Sequence, residues 1–293
     1  MAVYEHTYGP YAGPLTPTWS RFLIIPRHAY RDVFKSKLFT AFFAVCFVPA
    51  LIAAVLIYLN HNLEALTIFK ARVGGDLIPV NSYFFRIFLY VQSVLSFWLT
   101  VFVGPALVSR DLSNNALPLY LCRPFSRAEY VTGKLSVILI LLSAVTWAPG
   151  LLLFGFQSYL EGAGWMAENL WIAKAVVVTS VMLIMTLALL AVTLSAWIKW
   201  RLAASAALFG VFMIPSVFGL MVAGLFRTWM GNLLDIGMLL QTVGDSLFRQ
   251  PNTFGLDDWL EMPVGAAWAG LLSICAFCLF LLTRKVRAYE VVK

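Results

Sequence analysis

Residues 171–198 read WIAKAVVVTSVMLIMTLALLAVTLSAWI and contain one charged side chain, Lys174. A helix needs about 20 apolar residues to cross roughly 30 Å of hydrocarbon, and this stretch is long enough. Five more stretches of similar length and composition occur along the chain. The sequence therefore predicts an all-α membrane protein with six transmembrane helices, at residues 38–59, 85–108, 131–156, 171–198, 202–226 and 263–283.

The overall composition agrees with this prediction. The 293 residues are 61% hydrophobic and 12% charged, and the mean hydropathy of +0.84 excludes an ordinary soluble fold. Spans and short loops use nearly the whole chain, so we expect no separate soluble domain. We also expect no removable signal peptide, because residues 1–20 lack an apolar core.

The charges divide unevenly between the two sides of the predicted bundle. The side with residues 1–37, 109–134, 199–201 and 284–293 has 15 basic and 5 acidic residues, whereas the other side has 6 basic and 9 acidic. The positive-inside rule makes the basic side cytoplasmic. Both termini are therefore expected inside the cell, and the net charge of +7 marks membrane topology rather than nucleic-acid binding.

The segment before the first span, residues 19–37, alternates apolar and basic residues near helical spacing. This pattern predicts an amphipathic helix in the inner headgroup layer, with Arg27, Arg31 and Lys35 facing anionic lipid and Pro26 starting or breaking the helix. The alternative is a basic flank that only orients the first span. Residues 1–18 are rich in Gly and Pro, and we expect an extended cytoplasmic arm there.

The segment SRDLSNNALPLYLCRPFSRAEYVTGK, residues 109–134, is too elaborate for a plain connector. Ser109 or Asp111 is suited to cap a short helix, and Pro124 would end it. Ser126 and Glu129 have the spacing of a capping box for the next helix. The segment therefore predicts a short surface helix that docks into a groove on a partner protein.

This pattern resembles the membrane subunits of type-2 ABC exporters, the ABC-2 permease family. The similar residues are Gly104-Pro105, Ser109-Arg110-Asp111, Ala116-Leu117, Leu119-Tyr120-Leu121, Arg123-Pro124, Ser126-Arg127, Glu129-Tyr130, Gly133-Lys134, Arg284-Lys285-Val286-Arg287 and Glu290-Val291-Val292. The six spans and the amino-terminal helix extend the resemblance over nearly the whole chain.

The resemblance implies the permease subunit of an ATP-driven exporter in a bacterial inner membrane. In that family the loop after the second span contacts cytosolic ATPase subunits, which hold ATP and Mg²⁺, and a second permease subunit completes the pathway. The implied coupling surface comprises Asp111, Asn114, Leu119, Tyr120, Arg123, Arg127 and Glu129. The implied organisation is an amino-terminal region 1–37, a transmembrane domain 38–283 with a coupling loop 109–130, and a cytoplasmic tail 284–293.

The sequence contains no recognisable motif for catalysis, nucleotide binding or metal binding. Gly133-Lys134 does not belong to a phosphate-binding loop, because Ala128 and Leu135 occupy positions that require Gly and Ser or Thr. Cys275 and Cys278 are typical of helix packing, and the three histidines are scattered. We therefore expect no enzyme activity, cofactor or metal on this chain.

Two features leave alternatives open. For residues 227–262 the resemblance implies re-entrant helices that close an outer gate, and the alternative is a surface loop with an interfacial helix. The other function considered is a non-transporting scaffold that passes ATPase motion to other proteins, although no long outer domain favours it. An ion-coupled carrier is disfavoured because the spans contain almost no ionisable residues away from their ends.

Small residues and prolines add expectations about packing. Gly219 with Ala223 and Ala266 with Gly270 are pairs at spacing four, which permits close helix packing. Pro49 and Pro215 lie inside spans and should bend them.

Overall fold

The computed structural model describes residues 24–62, 79–114, 127–250 and 261–285. Most of these residues are helical, and no strand occurs among them. The helices are α1 (Ile24–Val33), α2 (Lys37–Val45), α3 (Val48–His61), α4 (Ser82–Ser113), α5 (Arg127–Val145), α6 (Trp147–Glu161), α7 (Ala163–Trp197), α8 (Arg201–Phe226), the 3₁₀ helix η1 (Trp229–Leu234), α9 (Ile236–Leu247) and α10 (Val264–Lys285).

Within the described ranges, six helical segments are long and apolar enough to cross a membrane, in agreement with the predicted number. They are Lys37–His61, Ser82–Ser109, Ala128–Glu161, Ala163–Trp197, Arg201–Phe226 and Val264–Lys285. Each contains most of one predicted span, and the largest difference in boundary is at α7, which begins at Ala163 rather than at residue 171.

Two of the six segments are interrupted near a proline. The first changes from α2 to α3 at Cys46 and Phe47, and Pro49 lies in the first turn of α3. Proline has no N–H to donate and is tolerated in a first turn, so a helix start at this point is favourable. The third changes from α5 to α6 at Thr146, just before Pro149. In contrast, α8 continues through Pro215 without interruption.

Helix α7 lies at the centre of the bundle. In its most apolar window 67% of the residues are buried, compared with 17% for α8 and for α10. Its apolar residues lie on all sides, as expected for a helix surrounded by other helices. It packs against α4, α5, α6, α8, α9 and α10.

Helices α4 and α7 approach closely where Pro105 interrupts the backbone hydrogen bonds of α4. A methyl group at Gly104 would lie 2.5 Å from the Cβ of Ala191, so only Gly fits this crossing. The Ser195 hydroxyl on α7 accepts from the amides of Val108 and Ser109, each at 2.9 Å, and donates to the Pro105 carbonyl. A hydroxyl of α7 thus adds hydrogen bonds to the backbone of α4 beside the proline.

The segment between α8 and α10 is packed into the bundle. Gly219 and Ala223 on α8 lie against Gly231 of η1, so the predicted small-residue pair packs against a 3₁₀ helix rather than another long helix. Asp235 caps α9 by accepting from the amides of Gly237 and Met238. Leu239, Val243 and Phe248 are buried among the neighbouring helices. The described part of this segment is therefore not an isolated surface loop.

Helix α1 occupies the middle of the predicted amphipathic stretch. Ala29, Tyr30 and Val33 pack toward α5, and Arg27 and Arg31 are exposed. The Tyr30 hydroxyl donates to the Val137 carbonyl at 2.7 Å. Burial raises the pKa of Tyr30 above its ordinary value, so the phenol stays protonated and remains a donor. Part of the apolar face of α1 therefore contacts α5 rather than lipid.

Candidate functional site

A buried ion pair joins α4 and α5 at the end of the bundle where α4 ends and α5 begins, here called the basic end. The Lys134 Nζ lies 2.7 Å from the Asp111 Oδ2, and the two side chains are 9% and 14% exposed. The Tyr130 hydroxyl donates to the same Oδ2 at 2.7 Å. The Lys134 ammonium also lies 5.5 Å from the centre of the Tyr130 ring. Asp111, Tyr130 and Lys134 are called the basic-end clamp.

The clamp holds together the two helix ends that flank residues 115–126. Asp111 lies in the last turn of α4, whereas Tyr130 and Lys134 lie in the first two turns of α5. Buried charges need a partner of opposite sign, and removal of one partner is costly. The geometry therefore fixes both anchors of the predicted coupling loop relative to each other. A cleft of about 200 Å³ lies beside the clamp, between α1, α4 and α5.

The predicted coupling residues fall in different places. Asp111 belongs to the clamp and is not a free surface group, Asn114 is exposed just after α4, and Glu129 lies half-buried in the first turn of α5. Arg127 is the first residue of α5. Leu119, Tyr120 and Arg123 lie outside the described residues.

The start of the predicted loop differs from the structure. Residues 109–113 continue α4, so neither Ser109 nor Asp111 caps a new helix. The Ser109 hydroxyl donates to the Pro105 carbonyl inside α4, and Asp111 is occupied by Lys134 and Tyr130. These contacts favour continuation of the helix over a turn at residue 109.

The predicted interfacial cations are all exposed. Arg27 and Arg31 lie on the open face of α1, and Lys35 follows its end. Lys35 pairs with Asp32 at 2.9 Å, and both side chains are more than half exposed. Their positions are compatible with contact to lipid headgroups.

A cavity of about 450 Å³ lies between α4, α7, α8 and α9. It is called the lateral cavity, because Val94, Trp98, Phe209 and Met213 in its wall are also exposed on the outside of the bundle. Aromatic rings join α4 to α8 in this wall, with the Phe97 ring centre 4.8 Å from that of Phe212. Cavities of this size and apolar lining bind small molecules in many proteins.

Two hydroxyl groups in the wall of the lateral cavity have no hydrogen-bond partner among the residues that the structure describes. They are Thr179 Oγ1 and Ser180 Oγ on α7, and Ser180 is only 1% exposed. Hydroxyls in helices commonly donate to the carbonyl one turn earlier, as Thr186 does to Met182 and Thr100 does to Ser96. An unsatisfied buried hydroxyl costs about 1–3 kcal/mol, so an occupant with a polar group would be stabilised here.

Charged groups lie where the lateral cavity approaches the opposite end of the bundle, here called the acidic end. The Arg86 Nε lies 2.6 Å from the Asp245 Oδ1, and Arg86 also donates to the Gln241 carbonyl at 3.2 Å. Asp235 lines the cavity and accepts from the Ser216 hydroxyl at 2.5 Å. Among the described residues, no cation forms an ion pair with Asp235.

Sequence reasoning missed the lateral cavity and its charged end. Arg86 was counted only as a basic residue of the acidic side, yet it is 3% exposed and bound to α9. Its position inside the start of a predicted span is a signal, because a charged residue within a membrane segment usually has a partner. The unsatisfied hydroxyls give no comparable signal, since their partners depend on which helices surround them.

Within the parts of the chain that the structure describes, no three His, Cys, Asp or Glu residues are grouped as a metal site. No family model matches this sequence, and no curated protein matches it. The six helices of membrane-spanning length nevertheless define a class, the multi-pass helical membrane proteins.

Proposed function

We propose that this chain is the permease subunit of an ATP-binding cassette exporter, driven by a separate cytosolic ATPase that holds ATP and Mg²⁺. The observation that carries the proposal is the continuity of α4 between two sites. Its last turn forms the basic-end clamp through Asp111, and its first turns reach the lateral cavity and Arg86. One helix therefore connects the expected ATPase contact to the expected cargo path.

The length of α4 suits transmission of movement through the bilayer. A helix of 32 residues is roughly 48 Å long at 1.5 Å per residue. A displacement of the clamp would move α4 relative to the central helix α7, and Arg86 would carry that movement to α9 through Asp245. ATP binding would thereby shift the balance between two arrangements of the cavity.

A second permease subunit, identical or similar, completes the proposed pathway. Large apolar side chains are exposed on α3 and on α8, including Leu51, Val55, Ile214 and Leu225. Such faces suit lipid or another membrane helix. The lateral cavity is open between α4 and α8, so a subunit packed beside them would enclose it. We place the assembly in a bacterial inner membrane with both termini cytoplasmic, in agreement with the charge asymmetry.

The proposal is tested by Arg123→Glu in the assembled transporter. The substitution reverses one charge of the proposed coupling loop and should leave membrane insertion unchanged. We expect substrate-stimulated ATP hydrolysis to fall about tenfold, because the reversed charge weakens the contact that transmits movement. The measurement is ATP hydrolysis by the purified complex in lipid vesicles.

Arg72→Glu is the matched control, since Arg72 is a cation of the loop on the opposite, acidic side. It should hydrolyse ATP at the wild-type rate. Normal stimulated hydrolysis in Arg123→Glu would contradict the proposed coupling surface.

A further inference from the structure

The lateral cavity combines an aromatic wall, one acidic group and unsatisfied hydroxyls, and together these indicate the chemistry of its occupant. Tyr90, Phe97, Trp98, Phe209 and Phe212 all contribute to its lining. The negative face of an aromatic ring attracts a cation, and its large apolar area binds an apolar body. The wall therefore favours occupants that are both aromatic and positively charged.

The acidic end of the cavity contributes a negative charge, which also favours a positively charged occupant. Arg86 is neutralised by Asp245 at 2.6 Å, whereas Asp235 receives only hydrogen bonds from Ser216 and from the amides of Gly237 and Met238. One carboxylate of the cavity is thus left without a positive partner among the described residues. The negative charge of Asp235 would repel an anion placed here and would attract a cation.

Neutral polar groups line the middle of the cavity. Among the described residues, Thr179 Oγ1 and Ser180 Oγ lack hydrogen-bond partners, and Ser93 and Gln241 also contribute polar groups to the lining. Both oxygens are buried in the wall, and a change of side-chain rotamer toward the cavity would let each hydroxyl accept a hydrogen bond from an occupant and donate one to it. An occupant with amino or carbonyl groups on its ring system would satisfy both.

We propose that the lateral cavity binds an amphipathic aromatic cation, with its positive group near Asp235, its ring system against Trp98 and Phe209, and its polar substituents at Thr179 and Ser180. That such a cation is the transported cargo rests on the proposed function. Binding itself requires only this chain, so the two ideas fail separately.

The test is equilibrium binding to the purified full-length chain in mild detergent, without any ATPase. Tetraphenylphosphonium and tetraphenylborate are suitable probes, because they have nearly the same shape and opposite charge. We expect saturable binding of the cation and at least tenfold weaker saturable binding of the anion. Equal affinity for the two ions, or no saturable binding of the cation, would overturn the proposal.

Asp235→Asn tests the placement of the charge. Asn is as good a helix cap as Asp, so α9 should remain folded and the thermal unfolding temperature should stay near that of the wild type. We expect affinity for tetraphenylphosphonium to fall roughly tenfold, because the attraction between the cation and one carboxylate is lost. Glu168→Gln removes an exposed carboxylate of α7 outside the cavity and should bind as the wild type does. Unchanged affinity in Asp235→Asn would overturn the proposal.

Ser180→Ala tests the hydroxyl groups with a second cation, ethidium, which carries two amino groups. We expect weaker binding of ethidium, by roughly fivefold for one lost hydrogen bond, and unchanged binding of tetraphenylphosphonium, which has no group that forms hydrogen bonds. Equal effects on the two cations would overturn the assigned role of Ser180. If the cations bind as expected but the chain associates with no ATPase, the proposed binding site stands and the proposed function is rejected.

Discussion

At the residue scale, the ion pairs of this chain differ by how deeply they are buried. Arg86 and Asp245 have side chains that are 4% and 16% exposed, whereas Lys35 and Asp32 are 70% and 54% exposed. Exposed pairs contribute little to stability because water screens them. A buried pair becomes a large liability when one partner is lost, since the remaining charge is then poorly solvated.

We therefore predict that Arg86→Met lowers the free energy of unfolding by about 3–5 kcal/mol, because the Asp245 carboxylate loses its buried cation. The measurement is unfolding in mixed detergent micelles by titration with dodecyl sulfate. Lys35→Met is the matched control and should change stability by less than about 1 kcal/mol. Equal stability of Arg86→Met and the wild type would show that the pair does not hold α9 to α4.

Contacts between individual side chains were the feature of the structure that the sequence predicted least well. The resemblance to a coupling loop implies a role for Asp111 at the ATPase contact. Nothing in the local sequence predicts its contacts with Lys134 and Tyr130. The Arg86–Asp245 pair joins residues 159 positions apart, and nothing in the local pattern links them. Such contacts depend on how the helices are arranged.

At the scale of elements, the spans were predictable because hydrocarbon imposes a minimum length on an apolar helix. The interruption at Thr146 and the continuation of α4 through Ser113 were not predictable, because they depend on contacts with neighbouring helices. The close packing of α8 on η1 was foreseen only in part. Gly219 signalled a close approach, but its partner Gly231 lies in a short 3₁₀ helix without a periodic pattern.

We predict that Gly219→Ala destabilises the contact between α8 and η1. An added methyl group would collide with the Gly231 carbonyl, which is backbone and has little freedom to move. The expected cost is about 1–3 kcal/mol in the same detergent titration.

Gly224→Ala provides the control in the same helix, since a methyl group there meets no atom within 4 Å. This change should be neutral or stabilising, because Ala favours the helix by about 1 kcal/mol over Gly. Equal behaviour of the two variants would contradict the close approach of α8 and η1.

At the scale of the whole molecule, the all-helical fold with six helices of membrane-spanning length could be predicted from the chain alone, and the lateral cavity could not. Four helices form the cavity wall, and residues from Arg86 to Gln241 contribute to it. Arg86 is a signal because it is a charged residue at the start of a span, but the apolar lining residues have no pattern that distinguishes them from ordinary membrane helix. The central position of α7 agrees with its uniform apolar composition, since a helix that is apolar all round is suited to burial.

In the proposed function, the chain is a membrane gate that a separate ATPase drives. Its basic end is held by Asp111, Tyr130 and Lys134, and its acidic end is joined through Arg86 to α9. Helix α4 spans the distance between them. A separate ATPase at the basic end is therefore the element on which the proposed function depends most.

The most direct measurement is the subunit composition of the assembly, purified intact from its native membrane in mild detergent and identified by mass spectrometry. We predict one ATPase polypeptide with a phosphate-binding loop for each copy of this chain, and loss of that polypeptide when Arg123 is replaced by Glu. A chain that purifies without an ATPase and still moves cargo across sealed vesicles would contradict the account.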